Sequence, residues 1–315
     1  MSNLKQGPPD DGCGHDHGGG GHSHAPASFG SAFAIGITLN LGFVIVELAY
    51  GVFAHSLALV ADAGHNLGDV LGLFLAWGAT FLARTAPTER RTYGLRSSSI
   101  LAALFNAIFL FITVGAITWE AIRRFGDPAA VEAGTVIWVA LIGIVINTAT
   151  ALMFMSGRKR DLNIRAAFLH MAADAGVSLG VVVAGLLIVA TGWLWIDPVI
   201  SLAIAVVITW GTWGLLRDSV NLALHAVPHG IEVAKVRQYL SSLPHVTEVH
   251  DLHVWPMSTT ETALTAHLVR DVDDCDCALL DQAARDLDHK FEIQHTTLQF
   301  ETVDHRCHLA PDEKV

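Results

Sequence analysis

Charge is scarce in this chain. Only 16% of its 315 residues are Asp, Glu, Lys or Arg, while 52% are hydrophobic and the mean hydropathy is +0.45. That balance is too apolar for an ordinary soluble domain and predicts a protein that crosses a membrane several times. The N-terminal stretch "MSNLKQGPPDDGCGHDHGGGGHSHAPAS" is polar and glycine-rich. It lacks a basic segment followed by an apolar one, so no cleaved signal peptide is expected. The phosphate-cradling pattern G-x-x-x-x-G-K-[ST] does not occur, and neither does the HExxH of many zinc hydrolases. The four cysteines show no zinc-ribbon spacing.

What the chain has in their place is long apolar runs. An α-helix needs about 20 such residues to cross the hydrocarbon core, and suitable runs fall near 30–51, 57–83, 98–122, 133–155, 165–191 and 197–216. They predict a six-helix membrane domain over residues 29–217, preceded by a disordered His-rich tail, 1–28. The connections "RTAPTERRTYGLR" (84–96) and "SGRKRDLNIR" (156–165) hold most of the basic residues, and the links 52–56 and 192–196 hold none. Because basic loops stay inside, both termini are expected in the cytoplasm. Arg123 and Arg124 run against this bias.

After Arg217 the pattern changes. Helical periodicity in "IEVAKVRQYLSSL" and "LLDQAARDLDHKF" alternates with strand periodicity in "TEVHDLHVW", "TALTAHLV" and "TTLQFETV". The order αββαβ predicts a ferredoxin-like α+β domain over 218–304, with a short tail, 305–315. From residue 218 onward seventeen acidic residues face seven basic ones. This excess argues against nucleic acid and suits a cation or a second copy of the domain.

The chemistry concentrates in "HSLALVADAGHNLGDVLGLFLAWGATFLA" (55–83), a membrane-helix pattern that carries Asp62, His65 and Asp69. A charged side chain at the bilayer centre costs about 2.5–3.5 kcal/mol, so these carboxylates need compensation. His65 and Asp69 stand four apart and share one helix face. The fifth span repeats the spacing with His170 and Asp174 in "FLHMAADAGVSLGVVV". Two such faces meeting supply two imidazoles and two carboxylates, a donor set that suits tetrahedral Zn²⁺ and neutralises it. The plainer alternative is hydrogen bonding between helices, worth about 0.6 kcal/mol per residue; it gives no reason for type and spacing to repeat. Asp62 is assigned a structural or access-path role. Asn40, Glu47, Asn106, Glu120 and Asn147 either line that path or bond neighbouring helices.

"SLALVADAGHNLGD", "RTYGLR", "HMAADAG" and "VHDLHVWPMSTTETALTAHL" together resemble the cation diffusion facilitator family, in particular its bacterial zinc exporters. The resemblance covers nearly the whole chain from about residue 30. It implies a homodimeric secondary transporter, not an enzyme, that exports Zn²⁺ from the cytoplasm across the bacterial inner membrane in exchange for protons and without nucleotide. Its transport site would be His65, Asp69, His170 and Asp174. Manganese-type relatives carry Asp where this chain has His65 and His170, which favours zinc over harder ions. Cobalt, cadmium and nickel are the alternative cargoes. The resemblance also implies a cytoplasmic metal site at His250, His267 and Glu301, although Gln299 stands where some relatives have a histidine; the alternative is that these are ordinary histidines of half-buried strands. His253, Cys275, Cys277 and "HRCH" (305–308) are further soft donors, with the thiols expected reduced in the cytosol. Cys13, His15, His17, His22 and His24 form a flexible tract of metal-binding composition. An intramembrane metalloenzyme and a metal sensor are the readings from other classes.

Overall fold

The computed structural model describes residues 30–127, 129–155, 162–272, 277–304 and 307. Six apolar helices come first: α1 Gly30–Phe53, α2 Leu57–Ala83, α3 Ser98–Gly126, α4 Ala133–Phe154, α5 Leu162–Thr191 and α6 Ile196–Ala223. Each covers one of the expected spans. The α6 helix runs past the expected border at 217 because "RDSVNLA" contains neither Gly nor Pro. It stops where His225 takes a φ of 59° and Pro228 follows. Large apolar side chains such as Trp77, Trp119, Trp138 and Trp210 are exposed on the outside of the bundle, as a lipid-facing surface requires.

Three faces of α2 organise the bundle. Gly64, Gly68 and Gly72 recur every four residues and lie against α3. A Cβ on Gly68 would stand 2.1 Å from Leu110 Cδ2, one on Gly72 2.6 Å from Asn106 Nδ2, and one on Gly64 2.9 Å from Thr113 Cγ2. This small-residue seam brings two helices close enough for backbone-level packing. Each residue turns the helix by about 100°, so His65 and Asp69 lie a quarter-turn round from the glycines, and Asp62 and Asn66 lie nearly opposite them.

At the end of the bundle holding the links 54–56 and 192–195, one buried carboxylate closes the structure. Asp197, in the first turn of α6, accepts hydrogen bonds from Ser56 Oγ (2.6 Å), Leu57 N (2.8 Å) and Ala58 N (3.3 Å). Ser56 is also the N-cap of α2 and accepts from Leu59 N. The otherwise orphaned amides of the α2 N-terminus are thereby satisfied. Arg124 approaches Asp197 to 3.7 Å, bonds Glu120 and donates to the carbonyl of His55. Arg123 bonds Glu120 as well. The two arginines that run against the loop-charge bias are therefore held in ion pairs at the end of α3.

The C-terminal domain follows the expected order: α7 Val233–Ser241, β1 Val246–Pro256, β2 Thr262–Arg270, α8 Cys277–Phe291 and β3 His295–Thr302. The sheet order is β1-β2-β3, antiparallel then parallel. Leu264, Ala266 and Leu268 of β2 pack under Val236, Leu240, Leu279, Ala283 and Leu287 of the two helices, which leaves His267 on the opposite, open face. A bulge in β1 between His250 and His253, where Asp251 has a φ of 50°, resets the alternation. His250 pairs with His267 and His253 with Thr265, so two histidines three apart both reach the open face.

The α2–α3 link docks on the β1–β2 hairpin. Arg96 Nη1 lies 2.5 Å from Glu261 Oε1, Ser97 Oγ donates to the Met257 carbonyl (3.2 Å), and Thr259 N donates to Ser99 Oγ (3.1 Å).

We predict that Asp197→Ala destabilises the protein by roughly 2–4 kcal/mol, because it strands two helix amides and leaves Arg124 without one partner. Thermal unfolding of detergent-solubilised protein measures this. Asp197→Asn, which keeps one acceptor, should lose less, and an unchanged midpoint in the alanine variant would refute the capping role.

Candidate metal centre

The quarter-turn between the glycine seam and His65 aims α2 at α5, and the two HxxxD faces meet. Asp69 Oδ2 lies 3.5 Å from His65 Nε2 and 3.2 Å from His170 Nε2. The Asp174 carboxylate lies 3.8 Å from His65 Nε2 and 3.7 Å from His170 Nε2. Donors bound to one tetrahedral zinc at about 2.0–2.1 Å stand about 3.3–3.5 Å from one another; the four His–Asp separations run from 3.2 to 3.8 Å, and Asp69 stands at the edge of the cluster, outside its tightest group. Ligand atoms of His65, His170 and Asp174 all fall within 4.8 Å of one another. Asp174 is buried, while His65, Asp69 and His170 are partly open. The Nδ1 of His65 has no hydrogen-bond partner among the described residues.

Directly beside this centre lies a buried polar layer. Glu47 of α1 and Asp62 of α2 are fully buried, and the Asn66 amide donates to both, at 3.2 and 3.5 Å. Ser178 of α5 donates to the other Asp62 oxygen at 3.0 Å. Asp62 thus ties α2 to α5 beside the four-residue centre, and Glu47 ties in α1. Asn40 donates to the Met171 sulfur. Asn147 is fully buried on α4, and neither atom of its amide is hydrogen-bonded among the described residues. Asn106 lies against the Gly72 backbone, and Glu120 sits at the end of α3 with its two arginines. Asn66 and Ser178 escaped the sequence reading. Their signal was present in the i, i+4 spacing of Asp62 with Asn66 and of Asp174 with Ser178.

The second cluster lies on the open face of the C-terminal sheet. His250 Nε2 is 3.3 Å from Glu301 Oε2, and His267 Nδ1 is 2.9 Å from Glu301 Oε1. The three residues named from the resemblance are thus adjacent, with His250 and Glu301 buried. Gln299 stays out of the cluster as a donor to Glu301 Oε1 (2.9 Å). His253 turns to Asp251 instead, and Cys277 is exposed on α8. Cys307, named in the sequence only as one donor of a tail run, is brought against His267. The tract of Cys13, His15, His17, His22 and His24 lies outside the described residues, as do Cys275, His305 and His308.

Residues 33–222 match the model of the cation efflux transmembrane domain, and residues 228–303 that of the cation efflux protein cytoplasmic domain. The chain belongs to the cation efflux family. This is the cation diffusion facilitator family, whose members are membrane transporters and not enzymes, so the intramembrane metalloenzyme reading is set aside. The transporter is 35% identical to the metal cation efflux system protein CzcD of Cupriavidus metallidurans, over 95% of this chain and 90% of that one. It is 38% identical to the zinc transporter ZitB of Escherichia coli, over 89% and 88% of the two chains. To the cadmium, cobalt and zinc/H(+)-K(+) antiporter of Bacillus subtilis it is 33% identical, over 86% and 88%.

The Asn66 amide donates to both Glu47 and Asp62, so its removal strands buried acceptors. We predict that Asn66→Ala costs roughly 1–3 kcal/mol, the range for stranding a buried acceptor. Asn66→Asp, which adds a third carboxylate, should cost more. Melting of the two variants in detergent checks the order, and an aspartate variant as stable as wild type would contradict it.

Proposed function

We propose that this transporter exports Zn²⁺ from the cytoplasm in exchange for protons, as a homodimer in the bacterial inner membrane with both termini in the cytoplasm. The observation that carries the reading is the convergence of His65, Asp69, His170 and Asp174 at separations of 3.2–3.8 Å. Two carboxylates offset the charge of a divalent ion, and two imidazoles bias the site toward zinc and its neighbours over harder ions. Imidazole and carboxylate bind either a metal or a proton, so metal binding releases protons and a lower external pH favours discharge. Relatives with zinc and with antiport in their names support both parts of this reading. The dimer is supported by the match to the family's cytoplasmic domain, and the cytoplasmic termini by the basic loops 84–96 and 156–165. Asp62, Glu47, Asn40 and Asn147 are assigned to the walls of the ion path. His250, His267 and Glu301 form a second, non-transported cation site. The His-rich tract of residues 13–24 is assigned to loose capture of zinc near the entrance.

The test is flux in proteoliposomes, with a pH-sensitive dye inside and competing ions outside. Asp69→Ala and Asp174→Ala should each abolish nearly all zinc transport while the protein still inserts, and wild-type transport should run with proton counterflow. Normal flux in either variant rejects the site, and zinc movement indifferent to the pH gradient rejects the exchange. His65→Asp replaces nitrogen by oxygen and should widen selectivity toward Mn²⁺; an unchanged preference in the competition assay would remove His65 from the ligand set.

A further inference from the structure

The cluster on the open face of the C-terminal sheet contains one donor more than the second cation site just assigned. Ligand atoms of His250, His267, Glu301 and Cys307 all lie within 4.8 Å of one another, and the Cys307 Sγ stands 3.5 Å from His267 Nδ1. Cys307 comes five residues after the end of β3 and stands against the face that the helices leave open. The groups inside the cluster are poorly satisfied by one another. Neither ring nitrogen of His250, which is 3% exposed, is hydrogen-bonded among the described residues, and neither is the Glu301 Oε2 that faces it at 3.3 Å. Buried polar atoms are rarely left so, and an ion among them is one of the few remedies. The far nitrogen of His267, Nε2, is 3.4 Å from Asp251 Oδ2, the outer carboxylate that orients a metal-binding imidazole.

We propose that Cys307 is the fourth ligand of this site, closing a His₂-Glu-Cys cage around one thiophilic divalent cation, Zn²⁺ or Cd²⁺, in each chain. The inference rests on the reading of His250, His267 and Glu301 as ligands and adds the thiolate. Two imidazole nitrogens, one carboxylate and one thiolate give a four-coordinate set with no open position, the pattern of a resident ion, and their two negative charges match a divalent one. The sulfur also separates this site from the sulfur-free transport centre, since thiolate shifts preference toward softer metals. In this chain the cysteine fills the gap left by Gln299, whose amide is committed to Glu301.

The probe is Co²⁺ added to purified full-length protein in which Cys13, Cys275 and Cys277 are serine, leaving Cys307 as the sole thiol. A near-ultraviolet thiolate-to-cobalt band is expected at one equivalent per chain. It should vanish in Cys307→Ser and in His267→Ala, and persist in Asp174→Ala, which impairs only the transport centre. Zn²⁺ and Cd²⁺ should abolish the band by displacement. If cobalt still binds at this face, by equilibrium dialysis against a His267→Ala control, but without the band, the three-residue site stands and Cys307 is overturned. If His267→Ala changes neither the band nor the stoichiometry, the whole cytoplasmic site falls.

Discussion

Carboxylates inside an apolar bundle have to be answered within hydrogen-bond reach, and most of this structure follows from how each one is answered. Asp197 takes up the free amides of α2. Glu47 and Asp62 share one amide, with Ser178 completing Asp62. Asp69 and Asp174 face two imidazoles and, among the described residues, no other cationic group, the set proposed above to hold an ion. The three solutions differ in what they do. The first fixes the end of the bundle, the second joins three helices, and the third is the proposed place for cargo.

The position of α2 links these solutions. Its glycine seam removes side chains from one face, so α3 is held against the backbone. Rotation about the helix axis is then set, and with it the direction of His65 and Asp69 toward α5 and of Asp62 and Asn66 toward α1 and α5. A polar site in a membrane is only as well defined as the helices that carry it, and here the definition comes from the absence of side chains on the adjoining face of α2.

The repeated HxxxD was readable because a spacing of four on an apolar run has one geometric meaning, and the αββαβ domain because periods of two and 3.6 alternate cleanly. Three features were not. Asp197 lies 140 residues from the amide of Leu57 that it caps, and no local pattern announces so distant a partner. The β1 bulge defeats simple alternation, which would have put His253 on the helix side of the sheet. Cys307 lies beyond the last strand, in a run without zinc-ribbon spacing, and its place against His267 is a matter of tertiary structure. Arg123 and Arg124 show the reverse case. Their charge was legible as an exception, and the pairing with Glu120 and Asp197 supplies the reason.

The docking of the β1–β2 hairpin on the α2–α3 link gives the C-terminal sheet and the helix bundle a shared anchor. Strand β1 holds His250, and seven residues later the carbonyl of Met257 holds Ser97 at the head of α3. At about 3.3 Å per residue, His250 and the helix head are roughly 20 Å apart along one stretch of chain that β1 and its bulge make up almost entirely. Leu110 of α3 in turn lies against the Gly68 backbone of α2, so the sheet is anchored to the helix pair whose second member carries His65 and Asp69.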